Sequence, residues 1–198
     1  QEHIAALRKT HANVRMEVAQ LTPVFDQMVA VLPKHENMTL MELALANTRA
    51  RLRMTALYYF AGLHRYLVAG TGNKVEDFGV GFFTKYGDGG VDLSPIADLT
   101  KTEVYAVGRE LGIIDSIMLA KPTDGLWGDD RSDEDQIGAS YPELEWAMDL
   151  RERGDDPALL GLTARQLQVL AIFDKRNAAN RHKMEPIPVC LIPAPLRG

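Results

Sequence analysis

The stretch 66–92, YLVAGTGNKVEDFGVGFFTKYGDGGVD, constrains this chain most. The apolar run Tyr66–Ala69 is too short for a helix and reads as a buried strand of a parallel sheet. It stops at Gly70-Thr71-Gly72. In open α/β sheets ligands sit beyond the carboxyl ends of the strands. That placement brings Thr71, Asn73, Lys74, Glu76 and Asp77 to a crevice. Seven glycines between Gly70 and Gly90 are interleaved with Phe82, Phe83, Lys85 and Asp88. Glycine lets backbone approach a ligand closely, at a cost in folding entropy. The combination predicts a binding loop over a polar, phosphorylated ligand, the competing reading being a flexible surface hairpin.

The pattern elsewhere alternates strand and helix signals, which favours an α/β sheet flanked by helices in one domain, 1–198. Val14–Val18 alternates apolar and polar residues and reads as a strand. Thr22-Pro23 predicts an N-cap followed by proline at the first helical position, with a helix over Val24–Leu32. Capping-box spacing at Thr39–Glu42, Thr100–Glu103, Ser140–Glu143 and Thr163–Gln166 predicts four helix starts. The first of these opens a long helix to about His64, and Gly112 closes the second. Along the long helix Tyr58, Tyr59 and Phe60 form a wider aromatic band than one core face needs, predicting a homodimer interface. The tail Pro186–Pro193 is broken by prolines and predicted to be extended.

A net charge of −5 and a pI near 5.5 argue against non-specific nucleic-acid binding. The single cysteine, Cys190, cannot form an internal disulfide, so the expected compartment is a reducing cytoplasm. Its apolar neighbours predict a small packed residue rather than a nucleophile. No apolar run approaches the length of a membrane span.

Several residue types carry possible chemistry. Glu76, in a glycine loop after a strand, can take a hard cation such as Mg²⁺, or be a solvated acid. Thr71 can donate to a nucleotide or cap a turn. Lys101 and Thr123 read on their own as a surface lysine and a turn residue. Arg49, Arg51 and Arg53 lie at alternate helical positions and cannot all serve one ligand. Three arginines in five residues still raise the prospect that one reaches a phosphate or carboxylate. Asp88, in Tyr86–Gly90, is a turn aspartate that can also bind ammonium and assist its deprotonation. His182-Lys183 near a helix end suits the helix dipole. The acidic stretch 124–135 reads as a solvated turn.

GTGNKVED (70–77) and GFFTKYGDGGVDLSPIADLTK (81–101) closely resemble the ammonia-dependent NAD synthetases, members of the ATP pyrophosphatase group. The likeness continues at ANTRARLRM (46–54), KPTDGLW (121–127) and RHK (181–183), and so covers almost the whole chain. It implies a Rossmann-like fold of the adenine nucleotide alpha hydrolase type, with a parallel sheet between helices. It implies ATP-dependent amidation of deamido-NAD by ammonia, giving NAD, AMP and pyrophosphate through an NAD-adenylate. By the same resemblance Glu76 is assigned to magnesium, and Thr71, Lys101 and Thr123 to ATP. Arg51, Lys85, Asp92, His182 and Lys183 are assigned to deamido-NAD, and the stretch 124–135 to closure over the site. The family's Ser-Gly-Gly-x-Asp-Ser phosphate loop, source of a second magnesium ligand, has no counterpart in these 198 residues. The expectation is an N-terminally incomplete synthetase domain, with two readings: an enzyme inactive alone, or a non-catalytic dimerising remnant. Another amidase of the same group is the remaining alternative, which the FFTKYGDGG block opposes.

Overall fold

A computed structural model describes residues 2–127, 129 and 131–197. Gln1, Gly198 and two members of the acidic stretch, Gly128 and Asp130, lie outside the described residues. In chain order the helices are α1 (Glu2–Thr10), α2 (Thr22–Val31), α3 (Met38–His64), a π-helix (Val75–Val80), α4 (Lys101–Glu110) and α5 (Asp115–Met118). They continue with α6 (Asp133–Ile137), α7 (Tyr141–Arg153) and α8 (Ala164–Met184). Short 3₁₀ turns occupy Pro157–Leu159 and Ala194–Leu196.

Three of the four predicted capping boxes form, at Thr100, Ser140 and Thr163. In each, the N-cap hydroxyl and the carboxylate or amide three residues on satisfy orphan N–H groups reciprocally. The fourth does not. α3 begins one residue before Thr39, and Asn37 caps it by accepting from the Leu40 N–H at 3.1 Å. Asparagine outranks threonine as a cap. Thr22 is likewise inside α2, whose N-cap position, Leu21, offers no side-chain bond.

The predicted strands are a larger difference. Among the described residues the one β contact is an isolated parallel bridge between Ala69 and Leu93. Gly70 N–H donates to the Leu93 carbonyl at 2.7 Å, and Asp92 N–H to the Val68 carbonyl at 2.9 Å. Val68 is buried, but Tyr66 and Leu67 are 66% and 69% exposed. The segment is therefore paired with another extended stretch only at its carboxyl end, while the Tyr66 N–H caps α3 through the Ala61 carbonyl at 2.9 Å. Residues 14–18 join no ladder, and Met16 and Val18 are exposed. A strand needs a neighbour for its backbone groups, and none lies alongside among the described residues.

The core gathers where the π-helix, α7 and α8 meet. Val75, Val80, Leu144, Ala147, Leu150, Val169 and Phe173 are buried together there. A row of α8 side chains then completes the far end of the π-helix. Asn177 Nδ2 donates to the Gly79 carbonyl and Asn180 Nδ2 to the Val80 carbonyl, each at 2.8 Å. Lys183 Nζ donates to the carbonyls of Gly81 at 2.9 Å and Phe83 at 2.8 Å. Buried carbonyls that the wide helix leaves open are thus satisfied by one face of a second helix. Gly81 turns the chain out with φ +61°, and a Cβ there would fall 2.4 Å from Asn180 Cβ. Among the described residues, the tail after Glu185 has no regular element except the 3₁₀ turn at Ala194–Leu196. Its prolines keep it off the body, so Ile187, Val189 and Leu191 are exposed. Cys190 is exposed with them rather than packed.

Candidate active site

The turn Gly70–Gly72 opens onto a cavity of about 220 Å³ lined by Thr71, Glu76, Asp77, Phe82, Asp88 and Lys183, among others. Asn73 fixes the start of the π-helix beneath it. This residue is 1% exposed, and its Oδ1 accepts from the N–H groups of Val75 and Glu76, each at 3.1 Å. A Cβ on Gly72 would lie 2.2 Å from Asp77 Oδ1, so a larger residue there would have to displace this carboxylate.

Glu76 is the centre of a polar cluster. Lys101 Nζ, from the first residue of α4, meets its Oε1 at 3.1 Å. The Tyr141 hydroxyl, from the first residue of α7, donates to the same oxygen. That hydroxyl also lies 3.2 Å from Asp133 Oδ2, and the Tyr141 ring sits 4.7 Å from Lys101 Nζ. Glu76 Oε2 accepts only a long 3.3 Å bond from the Asn73 N–H. Cross-links hold the three helix starts together. Lys74 N–H donates to the Leu99 carbonyl at 2.8 Å. Glu145 of α7 accepts from the Thr102 N–H at 2.9 Å and its hydroxyl at 2.7 Å. Glu152 pairs with Lys74 at 2.9 Å.

The cavity is electrostatically loaded. Burial, with Glu76 and Asp88 nearby, pushes the Asp77 carboxyl up to about 6. Burial also raises Asp133 against the bond from Tyr141, and raises the Tyr141 hydroxyl, helped by the two carboxylates it faces. Acids crowded in low dielectric resist ionising together.

Phe82, Phe83, Asp88 and Lys183 form the wall between this cavity and a second, of about 540 Å³. The second is also lined by Asn47, Asp124, Trp127 and Arg176. Asp88 Oδ1 accepts from the Thr84 N–H at 2.9 Å, and the Thr84 hydroxyl donates to Asn47 Oδ1 at 2.6 Å. The turn and the acid therefore coexist in one residue. Desolvation raises the Asp88 carboxyl, although Thr84 and then Lys183 oppose it. Burial lowers the Lys183 ammonium, Asp88 opposing and Arg176 adding to the shift.

The first residues of the acidic stretch, Asp124–Leu126, are held against α3, while Asp129 and Asp135 are exposed. Arg49 donates to the Leu126 carbonyl at 2.8 Å, and Arg53 to those of Asp124 at 3.0 Å and Gly125 at 2.7 Å. Positions four apart share a helix face. Asp124 Oδ2 accepts from Trp127 Nε1 and Gln136 Nε2, each at 3.2 Å. Arg51, on another face, reaches the Lys85 carbonyl at 3.4 Å.

Of the residues singled out in the sequence, Thr71, Glu76, Asp88 and Lys183 line the first cavity, and Lys101 joins it through Glu76. Lys85 donates to the His182 carbonyl, so Arg51, Lys85 and His182 form a chain beside the cavities rather than in them. Asp92 is occupied structurally, accepting from the Tyr58 hydroxyl at 3.1 Å and the Val68 N–H at 2.8 Å. Thr123 is exposed and follows Pro122, whose carbonyl accepts from the Asp133 N–H at 3.2 Å. Sequence reasoning missed Tyr141, Asp133 and Arg176, and gave Asn47 no role in the site. The Ser140 capping box located Tyr141 at a helix start, yet a start carries no information on what the ring will face.

The NAD synthase family model matches residues 2–187. The NH3-dependent NAD+ synthetase of Carboxydothermus hydrogenoformans is 43% identical over 144 residues, 73% of this chain and 58% of that protein. The protein of the same name from Methanosarcina acetivorans is 35% identical over 177 residues, 89% of this chain and 68% of its own length. The chain thus spans about three fifths to two thirds of these relatives. Among solved structures, an NMN synthetase from Francisella tularensis superposes with a TM-score of 0.72 and 26% identity, covering 98% of this chain and 72% of its own. An NH3-dependent NAD synthetase from Campylobacter jejuni gives 0.67 at 22% identity, covering 96% of this chain and 73% of its own, and speaks to the fold alone. With a family model running through nearly every described element, the chain belongs to the NAD synthase family.

Proposed function

We propose that the protein amidates deamido-NAD with free ammonia at the expense of ATP, releasing AMP and pyrophosphate. The observation that carries this reading is the pair of adjoining cavities. One holds Thr71 and Glu76, with Lys101 behind, and it meets the other at Asp88 and Lys183. That arrangement suits two substrates brought face to face. The names of the Carboxydothermus and Methanosarcina relatives point the same way.

In this reading the nicotinate carboxylate attacks the α-phosphorus of ATP and pyrophosphate leaves. Thr71 and Thr123 contact the nucleotide, and Lys101 offsets the charge that grows on the leaving group. Arg51, Lys85, Asp92, His182 and Lys183 serve the dinucleotide. Ammonia then attacks the carbonyl of the NAD-adenylate, forming the C–N bond as AMP departs. Asp88 receives ammonium at the shared wall and takes up its proton. No covalent enzyme intermediate is required, and rate comes from positioning and charge.

Magnesium fits the donor set. Glu76 lines the cavity with Oε2 held only by the long Asn73 bond, and the carboxylates of Asp77 and Asp88 share the space. Mg²⁺ favours one or two carboxylates together with phosphate oxygens, which makes Glu76 the residue to hold it. When bound, the ion supplies charge neutralisation to the phosphates.

The same reading includes a cytoplasmic homodimer joined through α3, on which Leu57, Tyr59 and Leu63 are exposed. No described helix is long and apolar enough to cross a membrane. The Francisella neighbour supports a second reading, in which the acceptor is a mononucleotide.

The test is turnover of the natural full-length protein with ATP, ammonium and either deamido-NAD or nicotinate mononucleotide. Equal amounts of NAD and AMP, dependent on ammonium, are expected. Ammonium-independent AMP release would overturn the proposal. A higher kcat/KM for the mononucleotide would select the second reading.

A further inference from the structure

Tyr141 has no role in the reaction as described, yet it touches both charged groups at the nucleotide end of the site. It is 4% exposed. Its hydroxyl donates to Glu76 Oε1, the oxygen that Lys101 also meets. The face of its ring lies 4.7 Å from Lys101 Nζ, within the range where an aromatic face attracts an ammonium. Behind it, Asp133 Oδ2 lies 3.2 Å from the hydroxyl, while the buried Asp133 Oδ1 has no hydrogen-bond partner. The Tyr141 backbone is itself fixed, since its N–H donates to Glu134 Oε1 at 2.9 Å. The Glu145 bonds to Thr102 fix the start of α4 against α7. Lys101 and Tyr141 therefore approach Glu76 from two helix starts that cannot shift independently.

We propose that Tyr141 is a positioning residue: its hydroxyl orients the Glu76 carboxylate and its ring supports Lys101. One rigid side chain thereby sets the spacing between the carboxylate assigned to magnesium and the cation assigned to the phosphates. The hydroxyl has one proton and two acceptors, Glu76 and Asp133. Occupying Glu76 Oε1 leaves Oε2, with its one long bond, as the freer oxygen for a cation. A tyrosine can do this where a lysine or arginine could not, because it adds no charge beside Lys101.

The inference rests on the proposed reaction for the roles of Glu76 and Lys101, so two readouts are taken in the full-length protein. Calorimetric binding of Mg·ATP is measured for wild type, Tyr141→Phe and Tyr141→Leu, together with KM and kcat for ammonia-dependent synthesis. Groups that orient a metal ligand typically matter about ten-fold or more. Tyr141→Phe, which keeps the ring, should weaken Mg·ATP binding and raise its KM about ten-fold, with kcat at saturation within roughly three-fold of wild type. Tyr141→Leu should lower kcat as well, because Lys101 loses its support. Unchanged Mg·ATP affinity in a folded Tyr141→Phe protein overturns the proposal, even if its melting temperature falls. If Tyr141→Leu does not fold, Tyr141→Phe alone decides. Wild type that binds Mg·ATP but makes no NAD would remove the proposed reaction, and the binding comparison would still decide Tyr141.

Discussion

Glu76 and Asp88 are two acids on one cavity with different surroundings, and the difference can be measured. Glu76 contacts a lysine and a tyrosine, whereas Asp88 stands in the wall between the cavities. Glu76→Gln should suppress pyrophosphate release, with part of it recovered by raised magnesium. Asp88→Asn can still accept the Thr84 N–H, so the turn should persist while amide formation slows roughly a hundred-fold. Rapid quench should find NAD-adenylate accumulating in the Asp88 variant alone, most strongly at lower pH where ammonium dominates. Adenylate accumulating in the Glu76 variant would reverse the two roles. Glu76, Thr71 and Asp88 were legible because chain proximity to a glycine turn places them. Tyr141 and Asp133 were not, because Tyr141 meets Glu76 across 65 residues, and Asp133 joins the cluster only through the Tyr141 hydroxyl, whose place depends on how α7 docks. Arg51, Lys85 and Asp92 came only from family likeness, and in the structure their nearest partners are protein groups.

Elements were legible where capping chemistry is local. Thr100, Ser140 and Thr163 mark helix starts because both partners of the box lie within three residues. The π-helix was read as loop, since no local pattern announces a helix whose final carbonyls are satisfied by α8. α3 carries a prediction of its own. The aromatic band divides in the structure: Tyr58 is bonded to Asp92, Phe60 is half-buried, and Tyr59 is 65% exposed beside Leu63. If α3 is a two-fold interface, each copy buries the same patch. Tyr59→Asp should then convert the dimer to monomer in sedimentation at micromolar concentration, with helix content unchanged by circular dichroism. A wild-type protein that sediments as a monomer would refute the interface.

At the scale of the whole molecule the packing of α7 on α8 should govern acid stability. Arg165 holds Glu143 in a two-pronged pair, both contacts 2.7 Å, and the Ser140 N–H adds a third bond at 2.8 Å. The arginine first, and then Ser140, bring the Glu143 carboxyl down to about 2. The folded value lies below the unfolded one of about 4.3, so this stabilisation is complete above that pH and disappears as pH falls through about 2. The pair is partly exposed, so Glu143→Gln should cost only about 1 kcal/mol at pH 7. Denaturant titrations should show the gap between variant and wild type closing as pH falls toward 3, and a gap that widens would contradict the assignment. The predicted sheet is the feature at this scale that the described residues do not form, beyond the bridge of Ala69 to Leu93. A strand is defined by its neighbours, and the apolar alternation at 14–18 specifies a face without specifying a partner. The row of α8 donors has a further consequence, in time rather than space. Asn177, Asn180 and Lys183 lie about a hundred residues after the carbonyls they complete. A ribosome adding roughly 5 to 20 residues per second makes those donors some 5 to 20 s after the loop has emerged. The wall between the two cavities therefore waits on α8, and a nascent chain cannot close this site before that helix has been made.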